Sequence, residues 1–137
     1  MIAAVVDASV AVKWVVDEPD SAAGFGLLGG TLLHAPAHWL AEAANVVWWR
    51  AGRGEFDGED AAERVAVLAR APVRSHDLAA LLPRAFALAL AHRVTVYDSL
   101  YVALAERLGV KLVTADLRLI AALGGDVVEV IGVAALG

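Results

Sequence analysis

At 137 residues the chain is one ordinary domain, long enough to bury a real core. Hydrophobic residues make up 60% and charged residues 20%, which excludes disorder over most of its length, and 0 cysteines exclude disulfide scaffolds and thiolate metal sites. Eleven Lys and Arg against 16 Asp and Glu leave a formal net charge of −5, which excludes a protein that coats nucleic acid non-specifically but allows a nucleic-acid enzyme whose own active-site acids carry the negative charge.

Ile2–Val6 is an apolar, β-branched run that ends at Asp7 and predicts a strand buried on both faces, as in a parallel sheet. Residues 9–16 predict a helix closed by Asp17-Glu18-Pro19, and residues 20–28 a short second one. Residues 32–35 predict a weak strand, residues 38–50 a long helix, and residues 57–70 an amphipathic helix with Asp57 as N-cap. Val73–His76 is a poor strand candidate. Helices follow over 77–92, with Pro83 awkwardly placed, and over 97–108, with Gly109 as C-cap. Lys111–Thr114 predicts a strand, 116–123 a helix and 127–131 a last strand. Strands alternate with helices throughout, so the expected fold class is α/β: a single domain over residues 1–137, with a parallel β-sheet flanked by helices.

No targeting segment is expected, because the N-terminus lacks a basic region and meets Asp7 at once. The longest uncharged stretch, residues 21–41, is broken by four glycines and Pro36 and is not expected to cross a bilayer. The expected location is the cytoplasm. High apolar content, with Trp14, Trp39, Trp48 and Trp49, predicts a homodimer with helix-rich contacts. Residues 24–29 fit G-x-G-x-x-G, but they close a helix and precede a strand, the reverse of what a dinucleotide site requires.

The acids sort by environment. Asp57, Glu59, Asp60 and Glu63 share a polar helix face; Asp17, Glu18 and Asp20 are turn residues; Glu106 has no obvious partner. Four others differ. Asp7 and Asp116 follow strands, where parallel sheets bind ligands. Glu42 and Asp98 lie on apolar helix stripes, where a carboxylate is costly unless a cation accompanies it. Capping alone would explain Asp7, Asp98 or Asp116 individually. It does not explain Glu42, which is mid-helix. The four together favour an oxygen-ligated divalent ion, Mg2+ or Mn2+. The histidines read as surface or capping residues, His38 lying one turn before Glu42.

Val6-Asp7-Ala8-Ser9, Ala35-Pro36 with Leu40-Ala41-Glu42-Ala43-Ala44-Asn45, residues 95–105 around Tyr97-Asp98-Ser99, and Leu112-Val113-Thr114-Ala115-Asp116 resemble, in order, the four motifs of the PIN-domain family, in particular its VapC toxins. The resemblance spans nearly the whole chain. It implies a PIN-like fold and a Mg2+- or Mn2+-dependent ribonuclease, held in check by a small partner antitoxin that also binds DNA. It implies that Asp7, Glu42, Asp98 and Asp116 form the catalytic metal site, with Asp7 and Asp98 as the principal ligands and the hydroxyls of Ser9 and Thr114 beside it. Hydrolysis of a phosphodiester in single-stranded RNA would need no covalent nucleophile, and Arg50, Arg53 and Arg118 are the candidate phosphate contacts at the rim. A receiver-type phospho-acceptor lacks its second acid beside Asp7, and a D-x-D phosphatase would need an acid where Ser9 stands. The remaining rival is a binding module whose acids are only helix caps.

Overall fold

A computed structural model describes residues 2–136. Five strands, β1 (Ile2–Val6), β2 (Thr31–Pro36), β3 (Val73–His76), β4 (Lys111–Thr114) and β5 (Val130–Gly132), form one parallel sheet in the order β3-β2-β1-β4-β5. Seven α-helices flank it among the described residues: α1 (Ala8–Ala11), α2 (Ser21–Gly26), α3 (Trp39–Gly52), α4 (Gly58–Ala69), α5 (Leu82–His92), α6 (Val96–Leu108) and α7 (Leu117–Leu123). The central strands carry unbroken apolar runs because helices cover both faces. Val5, Val6, Leu112 and Val113 are fully buried, and Leu100 to Ala105 of α6 pack against them. No helix among the described residues is long and apolar enough to cross a membrane.

The caps predicted from sequence form. Asp57 accepts from the Asp60 amide at 2.8 Å, and Gly109 takes a left-handed conformation at φ 68°. Several boundaries move. The first helix ends at Ala11 and continues as a 3-10 turn over Val12–Trp14, where Lys13 reaches back to the Pro19 carbonyl at 2.7 Å. The helix expected from residue 77 begins at Leu82, which puts Pro83 in the first turn, where its missing N–H has no cost. Val73–His76 is a true strand whose weak apolar pattern reflects its place at the sheet edge. The last strand begins at Val130 rather than residue 127. Gly24 is a packing residue: a Cβ there would lie 3.3 Å from Lys13 Cβ, and its carbonyl accepts from Trp14 Nε1 at 2.9 Å.

Pairing across the fold corrects three sequence readings. Glu106 receives Arg84 through two bonds of 2.7 and 2.9 Å. Glu18 is no simple turn residue, since it pairs with Lys13 and Arg50. His34 Nδ1 and His76 Nε2 lie 2.9 Å apart between β2 and β3. The tryptophans divide: Trp14 and Trp39 are core, whereas Trp48 and Trp49 remain 69% and 56% exposed on α3.

Candidate active site

The sheet order reverses direction between β1 and β4, and in parallel sheets such a switch point opens a crevice beyond the carboxyl ends of the strands. Asp7 follows β1 and Asp116 follows β4, so the topology itself brings these two acids to one crevice. Glu42 enters from the first turn of α3, not from the middle of a helix as the sequence suggests, because α3 begins only at Trp39; Asp98 enters from the first turn of α6. All four, with Ser9, Asn45 and Tyr101, line a single cavity of about 290 Å³.

Asp7 is held from several sides. It caps α1 by accepting from the Val10 amide at 3.3 Å, and it also accepts from the hydroxyls of Ser9 and Thr114. Those hydroxyls in turn accept from the amides of Ala115 and Asp116, at 2.9 and 3.0 Å. Ser9 and Thr114 therefore join the ends of β1 and β4 into one network and aim both acids. Burial pushes the Asp7 carboxyl up to about 6 against the pull of these hydrogen bonds, and the Asp98 charge adds to the rise. Asp98 is also raised, first by burial, then by the charges of Asp116 and Glu42. Asp116 caps α7 and has one long contact, 3.7 Å, to Arg118.

Glu42 is the better compensated acid. Burial pushes its carboxyl up, but hydrogen bonds from His38 and Tyr101 outweigh this and leave it below the ordinary value. Tyr101 donates at 2.6 Å, and its own ionisation is pushed upward by burial and by that bond. His38 Nε2 lies 3.2 Å from Glu42 and donates to the Tyr97 carbonyl at 3.0 Å. Replacing Tyr101 with Phe is expected to let Glu42 take up its proton at higher pH. Carbon-13 titration of the Glu42 carboxyl checks this, and an unmoved titration would leave His38 as the sole control.

All four sequence-predicted acids thus meet, as do Ser9 and Thr114. Among the described residues, however, no three of His, Asp and Glu converge tightly enough to ligate one ion directly. Of the candidate rim arginines, Arg50 is engaged by Glu18 and Glu55, and Arg53 lies over the Trp49 ring at 4.7 Å; Arg118 alone borders the acids. Tyr101 and His38 escaped the sequence reading as site residues. Tyr101 looked like one more member of an apolar stripe, and the i, i+4 spacing of His38 and Glu42 was the only local signal.

The PIN domain family matches residues 4–124, and the chain belongs to it. Ribonuclease VapC3 of Pyrobaculum aerophilum is 40% identical over 118 residues, covering 84% of this chain and 90% of that protein. Among solved structures, PAE2754 from Pyrobaculum aerophilum aligns with a TM-score of 0.74 at 23% identity over 98% of this chain and 93% of its own. VapBC2 from Rickettsia felis, bound to a DNA fragment from its promoter, aligns with a TM-score of 0.67 at 13% identity over 96% and 98%. At these identities the two structures speak for the fold.

Proposed function

We propose that this protein is a metal-dependent endoribonuclease, the toxin component of a toxin–antitoxin pair, which hydrolyses phosphodiester bonds in single-stranded RNA. One observation carries the reading. Four carboxylates from four separate elements line one cavity at the sheet's switch point, and Asp7 and Asp98 have no Lys or Arg ion pair there among the described residues. A cluster whose two acids Asp7 and Asp98 lack such a pair suits a cation. The name of the 40% identical relative, a VapC ribonuclease, supports the same activity.

The donor set fits Mg2+ or Mn2+: it is all oxygen, and two of its acids are raised in pKa, first by burial and then by neighbouring carboxylates, a cost that a cation would relieve. Asp7 and Asp98 are the principal ligands, with Glu42 and Asp116 beside them. Mg2+ commonly keeps several waters and takes only one or two carboxylates, so an open arrangement of acids is adequate. A bound ion would supply charge neutralisation at the phosphate and would ease deprotonation of water. The chain's own residues set the stage for it. Ser9 and Thr114 hold Asp7 in one orientation, and Tyr101 with His38 keeps Glu42 ionised.

The protein's partners are RNA and a small cognate antitoxin; the assembly of VapBC2 on promoter DNA supports the second. The capping bonds of Asp7 and Asp116 favour a second reading, a PIN-like RNA- or partner-binding module with structural acids. Total RNA incubated with Mg2+, Mn2+ or chelator separates the two. Cleavage with either metal and none in chelator is expected; intact RNA under all three conditions would overturn the nuclease reading.

The protein is also a homodimer in this reading, using apolar helix faces that the monomer leaves open. Leu82, Phe86 and Leu90 form an exposed stripe at i, i+4, i+8 on α5, and Trp48 and Trp49 stand out from α3. Sedimentation is expected to give a dimer at micromolar concentration. A monomer there would remove this part of the proposal.

A further inference from the structure

A second cavity, of about 320 Å³, adjoins the first and shares Asp98 and Asp116 with it. It is also lined by Arg93, Thr95 and Arg118. The two adjoining cavities together therefore hold four acids and two arginines. Arg93 is the more telling residue. It stands at the C-terminal end of α5 with φ 56° and ψ 42°, the left-handed region that glycine occupies at little cost. A residue with a Cβ there carries backbone strain, because its Cβ crowds the following carbonyl oxygen. Nothing in the fold offsets it through the side chain, because Arg93 is exposed and makes no ion pair or side-chain hydrogen bond among the described residues. Arg118 is 95% exposed, and its one ion pair is the long contact to Asp116. Thr95 Oγ1 accepts from the Asp98 amide at 3.1 Å, which leaves the hydroxyl proton to donate outward.

Strain kept for an unpartnered cation points to a ligand. We infer that Arg93, Arg118 and Thr95 form a phosphate subsite that holds the backbone of the RNA one step away from the bond cut at the acids. The inference rests on the ribonuclease reading and deepens it. A free anion would be repelled by Asp98 and Asp116. A phosphodiester chain satisfies both halves of the crevice, one phosphate between the arginines and its neighbour at the metal-binding acids. Arg93 and Arg118 are thus positioning residues that set which way the strand runs across the site.

The test is binding of a labelled, random-sequence 20-nucleotide RNA in Mg2+ at several salt concentrations. It is made in an Asp7→Asn background, which leaves the Arg93 cavity untouched and spares the RNA. Arg93→Gly and Arg118→Ala are each expected to weaken binding about tenfold. Each is also expected to reduce the slope of log affinity against log salt by about 0.7, the value for one phosphate contact on a single strand. Arg70→Ala, a change to an exposed arginine of α4's C-terminal end paired only at 3.8 Å with Glu63, should change neither. Arg93→Gly should meanwhile melt higher by roughly 2–4 °C, because it relieves the left-handed strain. Weaker binding in a more stable protein is a result that a structural role for Arg93 does not produce. An Arg93→Gly/Arg118→Ala double variant that keeps both the affinity and the salt slope, while the wild-type protein cuts total RNA, overturns the subsite alone. A wild-type protein that neither cuts nor binds RNA overturns the ribonuclease reading and the subsite with it.

Discussion

Asp98→Asn is expected to abolish RNA cleavage, lowering the rate by about a thousandfold or more, equivalent to roughly 4 kcal/mol of barrier. On the proposed reading the change removes a charged metal ligand and keeps the side chain's shape. It leaves the helix start intact, because the cap of α6 is Thr95, which accepts from the backbone amide of residue 98. It also removes a charge that burial, Asp116 and Glu42 all oppose, so the metal-free variant should melt higher than wild type. The comparison is Asp57→Asn. Asp57 is exposed and caps α4, a role Asn fills equally well, so its activity should stay within about a few-fold of wild type. Cleavage assays and thermal melts of the three proteins decide the matter. Equal loss from both substitutions would mean that environment does not separate the working acids from the solvated ones.

The second large effect is the coupling of stability to pH and metal. The Asp7 carboxyl is raised from 3.8 to about 6 in the folded protein. The folded state therefore holds a proton that the unfolded chain releases between those values. Stability from this group is greatest below about pH 4, falls as pH climbs through the window, and levels off above about pH 6. The full penalty of ionised Asp7 is up to about 3 kcal/mol, discounted by whatever local relaxation occurs. A divalent ion that binds only the folded state offsets it: at a hundredfold excess over its Kd the gain is about 2.7 kcal/mol, or roughly 10 °C in Tm for a chain of this size. Thermal melting at pH 4, 5, 6 and 7.5, with chelator and with Mn2+, reads both effects. The chelated protein should lose stability with rising pH and the Mn2+ arm should recover it, with most of the recovery missing in Asp98→Asn. A melting temperature indifferent to Mn2+ would leave the four acids with structural roles alone, Asp7 and Asp116 as helix caps.

The sequence by itself determined the alternation of strands and helices, because burial on both faces writes a continuous apolar run and helical caps write short local signals. Asp57 and Gly109 are examples in which a few neighbouring residues carry all the information. It also singled out the four acids that line one cavity, since a carboxylate on an apolar stripe or at a strand's end is anomalous wherever the rest of the chain lies, and the family motifs point to the same positions. Only the tertiary structure decided what those acids touch. Asp7 and Thr114 are 107 positions apart, and their bond exists because β1 and β4 are neighbours in the sheet. Glu42 meets Tyr101 across 59 positions, through the packing of α3 and α6 at the site. The same holds for the charges the sequence misread. Arg50 pairs with Glu18 across 32 positions and Arg84 with Glu106 across 22, so an arginine's freedom to meet a ligand is invisible until its partners are known. Arg93 illustrates the limit most plainly: as a letter it is one polar residue after a helix, and only its backbone conformation and its place beside Asp98 and Asp116 mark it as held there against strain.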